Sequence, residues 1–387
     1  MGVQADHFTA MAQKFMEQHP NIQVKGEYFP GAEYNQKMQV AVAGGTLGDA
    51  LWTASIQAFG PFGVKGILID HTPLIAAAKF NLQELWPQAV QGVTINGKVY
   101  GLPWIVHPGR IGLYYNKGMF DKAGQKYPDD SWTYDQLHTA AKALTKESGG
   151  KTEAYGFVGA DQPWGGIVFM RSYGGDYLSP DGKKVGATAP AALAGIQSLA
   201  DFYGKERSAP SPTQVEGGSP QMFASNKLAM YQSGYWGISS NLQYAKDTPW
   251  GVVSMPKGPA GSKGMFEFDP VSVSKFSKAP QEAFQYLAFL ISKEAGVDIA
   301  KRGSVPGARQ DVWDDPELTK SEYHTVFAKI IKDTPPLLMP ANFRAVEFAD
   351  ALSKGMDPLF IGKETDARKV LTELEPTLQA ILDKPVA

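Results

Sequence analysis

The apolar spacing of this chain switches repeatedly between helical and extended periods, and that alternation restricts the folds open to it. Phe8, Met11, Ala12 and Phe15 fall at i, i+3, i+4 and i+7, one face of a helix over 7–18 that Pro20 ends. Ile22, Val24 and Tyr28 then alternate as a strand over 22–29. Helix resumes over 33–43, closed by Gly44-Gly45, and a short strand is expected at 50–52. Helix–strand–helix–strand order predicts parallel strands joined by crossovers, an α/β lobe.

The same punctuation continues. Asn96-Gly97, between Val93-Thr94-Ile95 and Val99-Tyr100, predicts a hairpin, and Asp181-Gly182 predicts another. A strand over 111–116 leads into a helix over 117–122. Thr133-x-x-Gln136 is a capping box ahead of Leu137, Ala140, Ala141 and Leu144, which share a helical face. Further helices are expected from Pro190, Ser219, near Ser239 or Ser240, and from Pro280, then over 321–332, 345–355 and 364–382. Strands are expected over 227–231, 250–255 and 271–273. No repeat with a period of about 20 to 50 residues is visible.

At 387 residues the chain exceeds one ordinary core, so two or three domains are expected. Apolar content of 43% and charged content of 20% fit a globular protein. A net charge of −2, without a basic stripe, gives no field for nucleic acid. No apolar run approaches the roughly 20 residues that cross a bilayer. Cysteine is absent, which excludes disulfides, thiol catalysis and Cys-based zinc sites. Neither a secretory signal nor a lipidation Cys is present, and any export segment is read as already removed.

Motifs for catalysis are missing. Gly150-Lys151-Thr152 resembles the end of a phosphate loop, but Thr145 stands where the leading Gly belongs and a helix precedes it. There is no G-x-S-x-G elbow. The six His, at 7, 19, 71, 107, 138 and 324, show no metal spacing. A glycosidase carboxylate pair meets only in space and leaves no sequence mark. Nothing calls for a cofactor or metal. What remains is aromatic: Trp236 follows the breaker Ser233-Gly234, and Trp52, Trp104 and Trp164 stand in comparable breaker-rich loops. Each is either core or a platform for a ligand.

An ordered series of motifs then resembles the family 1 extracellular solute-binding proteins of ABC importers, which include maltose-binding protein. The series opens with His19-Pro20-Asn21-Ile22-Gln23-Val24, Tyr34…Lys37-Met38…Ala43-Gly44-Gly45 and Gly48-Asp49-Ala50-Leu51-Trp52. It continues through Asn96-Gly97-Lys98-Val99-Tyr100-Gly101-Leu102-Pro103 to its most specific element, Gly112-Leu113-Tyr114-Tyr115-Asn116-Lys117-x-x-Phe120-x-Lys122. Later come Gly174-Gly175…Asp181-Gly182-Lys183-Lys184-Val185, Phe223…Lys227-Leu228-Ala229-Met230 and Gly303-x-Val305-Pro306. Two departures stand out. The family begins with a strand before the first helix, and only Met1 to Asp6 are available for it here. His107-Pro108-Gly109-Arg110 replaces the usual small or apolar residues.

The resemblance implies the two-lobe periplasmic-binding-protein fold (type II, Venus-flytrap), with the ligand in the interlobe cleft. It implies an N-terminal lobe of 1–109 and 265–308 and a C-terminal lobe of 110–264 and 309–387, with crossings near 108–112, 256–270 and 306–311. It implies a monomeric, non-enzymatic receptor that is periplasmic, or extracellular and membrane-associated. Such a receptor captures a sugar and delivers it to the transmembrane subunits of an importer. Carried over residue by residue, the expected ligand contacts are Trp52, Ser55, Trp104, His107, Trp164, Tyr235, Trp236, Asp269 and Arg344. Each keeps an alternative: core packing for Trp52, a helix cap for Ser55, a solvated loop for His107, a turn cap for Asp269. Aromatic rings suit the flat C–H faces of sugars, and a few polar groups suit their hydroxyls. The alternatives are a receptor for a charged solute such as a sugar phosphate or polyamine, or a cleft glycosidase.

Overall fold

The computed structural model describes residues 2–29, 31–53, 55–159 and 163–387. The strands are β1 (Ala50–Trp52), β2 (Thr94–Ile95), β3 (Lys98–Val99), β4 (Leu102–His107), β5 (Gly112–Asn116), β6 (Lys146–Ser148), β7 (Lys151–Val158), β8 (Leu228–Ser233), β9 (Trp250–Ser254) and β10 (Glu267–Val273). The chain packs into two compact units. Met1–His107 joins Glu267–Lys320 and Ala387 in one, and Pro108–Phe266 joins Ser321–Val386 in the other.

The first unit is built on a three-stranded sheet in the order β1-β10-β4. Both pairings are antiparallel, with Trp52 opposite Val271 and Glu267 opposite His107. The parallel crossover sheet expected here is therefore not what forms. Residues 22–29, read as a strand from their alternation, are extended but pair with no strand among the described residues. Only Ile22 and Val24 are half-buried there, and the Val24 N–H turns to the Met16 sulfur at 3.4 Å. The helix Val3–Gln18 buries Met11, Ala12 and Phe15 as its spacing predicts, against the helices Pro280–Leu290 and Lys293–Lys301. The Asn96-Gly97 turn joins β2 to β3.

Residues 309–320, expected in the second lobe, pack in the first unit. Arg309 pairs with Asp311 at 2.9 Å and with Glu84, while Val312 and Leu318 cluster with Ala300. The third passage between units thus lies after Lys320, not at 306–311.

The second unit holds a five-stranded sheet, β6-β7-β8-β5-β9, in which only β7 and β8 are parallel. The capping box at Thr133 forms and opens the helix Tyr134–Leu144, burying Leu137, Ala140, Ala141 and Leu144. Such a cap contributes about 1 kcal/mol. The Asp181-Gly182 turn closes a single bridge between Leu178 and Val185 instead of a ladder. The helix expected near Ser239 starts at Gly237, and Trp236 is its N-cap residue.

His71 ties the first unit together. It is fully buried, its ring Nε2 accepts the Val273 N–H at 3.0 Å, and its main-chain N–H donates to the Val99 carbonyl. Burial pushes the imidazole from 6.5 down to about 4, against the weaker pull of Asp70. The unfolded chain therefore binds a proton near pH 6.5 that the folded chain refuses until about 4. Stability from this group is complete above 6.5, falls as pH drops through that window, and is flat below it. The loss is on the order of 3 kcal/mol. His7, also held down by burial, adds the same sign. The urea midpoint is expected to fall between pH 7 and 4.5, and less steeply in His71→Gln, which keeps an acceptor but does not titrate. An unchanged slope in that variant refutes the assignment.

Candidate functional site

Trp52 ends the edge strand β1, opposite Val271 on β10. Two residues before Val271 the ladder shifts register, between Asp269 and Pro270. A bulge of this kind re-aims a side chain. Here the Trp52 Nε1–H donates to the Asp269 carboxylate at 3.2 Å. The Tyr34 hydroxyl, which burial keeps protonated well above its usual range, donates to the Trp52 carbonyl. The Tyr34 and Trp52 ring centroids lie 5.4 Å apart. Trp52 is half-buried and meets Trp104 edge to face, at 5.8 Å and 78°.

Trp104 itself is fully buried, stacked on Phe8 at 4.5 Å and 5.7 Å from the His7 ring. It supports Trp52 from within the first unit. His107 is also buried, with its Nδ1 3.9 Å from the Glu267 carboxylate. Ser55 accepts the Ala58 N–H as N-cap of the helix Ile56–Val64, the capping alternative weighed for it.

In the second unit, β8 runs through Ser233 into Gly234, Tyr235 and Trp236. The Trp236 ring lies so close over Gly234 that a Cβ there would stand 2.2 Å from it, so only glycine fits. The Arg110 guanidinium lies over the Trp236 ring, 5.3 Å from its centroid. Gly109 delivers Arg110 with φ +72, and a side chain there would meet the Met265 carbonyl at 2.8 Å. A cation over an indole gains about 0.5–2 kcal/mol, depending on desolvation. The Gln232 amide, buried in β8, donates to the carbonyls of Arg110 at 2.9 Å and Gly165 at 3.2 Å. Gly165 follows Trp164, the half-buried first residue of the helix Trp164–Tyr173. Asp161 and Gln162, which precede Pro163 and Trp164 in the sequence, lie outside the described residues.

Two expected contacts are engaged elsewhere. Tyr235 is buried, its hydroxyl 3.0 Å from His324 Nδ1 on the helix Glu322–Ile331. Arg344 donates to the Pro385 carbonyl at 2.9 Å and pairs with Glu347 at 3.2 Å, at the head of the helix Ala345–Phe360. The structure thus groups Trp52 with Asp269 over Trp104, and groups Trp236 with Arg110 and, through Gln232, Trp164. Tyr34 and Gln232 were not among the expected contacts. A sequence signal exists for Gln232: a polar side chain that directly follows the apolar run Leu228 to Tyr231, before the Ser233-Gly234 break, needs a partner if the strand extends to it.

One arrangement has the outline of a hydrolytic triad. Ser198 Oγ lies 3.0 Å from His138 Nε2, and His138 Nδ1 lies 2.9 Å from Glu206. Burial raises the Glu206 carboxyl, but His138 and Lys142 outweigh it and hold it below its usual range. Ser198 sits inside the helix Pro190–Tyr203, where main-chain N–H groups are spent within the helix, and the imidazole lies flat on Phe202 at 3.9 Å. That geometry fastens two helices and supplies no oxyanion donors. No group of three or more potential metal ligands occurs among the described residues.

Residues 10–325 match the family described as bacterial extracellular solute-binding protein. A Brucella abortus (strain 2308) protein that carries only a binding-protein name is 27% identical over 391 residues, 98% of this chain and 90% of that one. The arabinooligosaccharide-binding protein of Bacillus subtilis (strain 168) is 24% identical over 339 residues, 84% of this chain and 75% of its own. An ABC substrate-binding protein from Listeria monocytogenes, solved in complex with cycloalternan, shares the fold. Its TM-score is 0.84 at 23% identity, covering 97% of this chain and 95% of that one. The mixed α/β architecture is thus the two-lobe periplasmic-binding-protein fold that the sequence resemblance implies. The family pattern runs through segments of both compact units, and the chain belongs to the bacterial extracellular solute-binding proteins.

Proposed function

We propose that this protein is a non-enzymatic, monomeric receptor that captures a mono- or oligosaccharide by lobe closure and delivers it to the membrane subunits of an ABC importer. The observation that carries the reading is Trp52. It is a half-buried indole held at three points, by Asp269 on its N–H, Tyr34 on its carbonyl and Trp104 on its face or edge. A fixed indole beside a carboxylate suits a sugar, whose C–H face stacks while its rim of hydroxyls seeks acceptors.

A ligand shifts a closure equilibrium only through contacts that differ between the two states. The proposed counterpart in the second unit is Trp236, with Trp164 and Arg110. The arabinooligosaccharide-binding relative and the cycloalternan-bound neighbour support a carbohydrate. The family's extracellular character supports work outside the cytoplasm. No helix among the described residues is long and apolar enough to cross a membrane. A second reading, a charged solute such as a sugar phosphate, is favoured by one feature: the guanidinium that Arg110 brings to Trp236.

Calorimetry against a panel of neutral mono- and oligosaccharides is expected to give heat that salt leaves unchanged. Binding that weakens steeply with salt, or that needs a phosphate, supports the charged solute instead. Trp52→Ala and Trp236→Ala are each expected to weaken binding by about tenfold or more, the equivalent of roughly 1.4 kcal/mol. Unchanged affinity in both variants refutes the site. After long incubation the bound sugar is expected to be recovered intact, and products of its cleavage would reject a pure receptor.

A further inference from the structure

We infer that Gln232 is the positioning residue of the Trp236 patch: its buried amide holds two separate chain segments in register with the one that carries the indole. The inference rests on the reading of that patch as a ligand surface, but its geometric half stands on contacts within the second unit alone.

The argument starts from the valence of an amide. A glutamine side chain has two N–H donors, and here Nε2 serves two main-chain carbonyls, Arg110 at 2.9 Å and Gly165 at 3.2 Å. These carbonyls come from different segments. Arg110 lies just before β5, whose ladder with β8 begins at Gly112 opposite Ser233 and puts Leu113 opposite Gln232. Gly165 lies in the first turn of the helix that Trp164 begins. Gln232 itself stands four residues before Trp236 on the strand that ends beneath it.

One side chain, 3% exposed, therefore touches the residue whose guanidinium covers Trp236, the neighbour of Trp164, and the approach to Trp236. Gln232 spends its donors on the segment before β5 and on the first turn of a helix, each of which supplies a candidate contact. Fixing contact residues through such buried bonds is how a binding surface is preorganised. An ionised glutamate of the same length offers no donor and would set a carboxylate against two carbonyl oxygens. Methionine fills the space and offers none.

The test uses the full chain labelled with 5-fluorotryptophan, its eight fluorine signals assigned at Trp52, Trp164 and Trp236 by Trp→Phe variants. In Gln232→Met the Trp164 and Trp236 signals are expected to shift or broaden while Trp52, in the other unit, stays in place. Gln232→Glu is expected to disturb the same two signals at pH 7. It should recover partway toward wild type at pH 5, compared at matched pH, because a buried carboxyl takes a proton readily and then donates one bond. That acid rescue is a signature that general loosening of the unit would not produce.

Maltotriose serves as the calorimetric probe, and both variants are expected to bind it about tenfold more weakly than wild type. The proposal is overturned if Trp164 and Trp236 keep their signals in Gln232→Met, or if all eight move together with the melting temperature. It is also overturned if Gln232→Glu shows no acid recovery. Should Gln232→Met fail to fold, the acid recovery of Gln232→Glu decides. Should wild type not bind maltotriose, the fluorine signals decide. Unchanged binding in Trp52→Ala and Trp236→Ala would remove the receptor site and leave the geometric result intact, so the two failures are distinguishable.

Discussion

The pairing of β4 with β10 is the constraint on which the first unit depends. β10 is the central strand of its sheet, flanked by β1 on one side and β4 on the other, and the chain reaches it only after passing through residues 108–266 of the second unit. Without residues 267–273, β1 and β4 have no partner in that sheet, and a strand lacking one forfeits its ladder bonds. The unit therefore cannot be completed from residues up to 107 alone. Such non-local closure costs loop entropy before any contact compensates for it. His71 shows the dependence at atomic scale, because its ring accepts a β10 N–H while its main chain is bonded to Val99 of β3.

The same strand shapes the candidate site around Trp52. Its register shift at Asp269 comes two residues before the position opposite Trp52, and the carboxylate then meets the indole N–H. A straight ladder would have kept strict alternation and aimed that side chain by period alone. Beneath lies a layer that gives up some stability. Trp104 is fully buried with its Nε1 unsatisfied among the described residues, a defect of about 1–3 kcal/mol by general experience. Phe8 stacks on that ring, so dispersion and area burial offset part of the loss. A large, flat, rigid support under Trp52 is what remains.

Local chemistry was the legible part of the sequence. Asn96-Gly97 turned where turn propensity says it must, and Thr133 with Gln136 closed its box because both partners lie within four residues. The apolar face of Val3–Gln18 was readable for the same reason. Residues 22–29 alternate as a strand does, yet a strand needs a neighbour, and no period in one segment reports whether a neighbour is there. The site was legible as a residue class and not as a set of roles. Trp52 and Trp104 look alike in sequence, but three-dimensional packing leaves one half-buried and buries the other completely against it. Tyr235 and Arg344 were drawn from motif position, and each has bonds within its own unit that spacing does not encode. Tyr34 was missed because a hydroxyl on a helix gives no sign of the carbonyl it will reach.

The polar groups of the two patches share a property that bears on ligand class. Asp269 meets an indole N–H, Arg110 lies on an indole face, and Gln232 faces carbonyls. Each polar group is thus bound to an aromatic or to the main chain and held in one orientation. A site built for a bare ion would concentrate charges of one sign and draw them together on the guest. Here Asp269 accepts from an indole N–H and the Arg110 guanidinium lies on an indole face, contacts that depend on direction. On the proposed sugar reading, direction is what discriminates one hydroxyl pattern from another, because hydroxyls differ in where they point and hardly at all in charge. The cost of such a design is that orientation must be maintained by buried bonds behind the contact surface. The bulge at Asp269, the glycine under Trp236 and the amide of Gln232 are the features that maintain it.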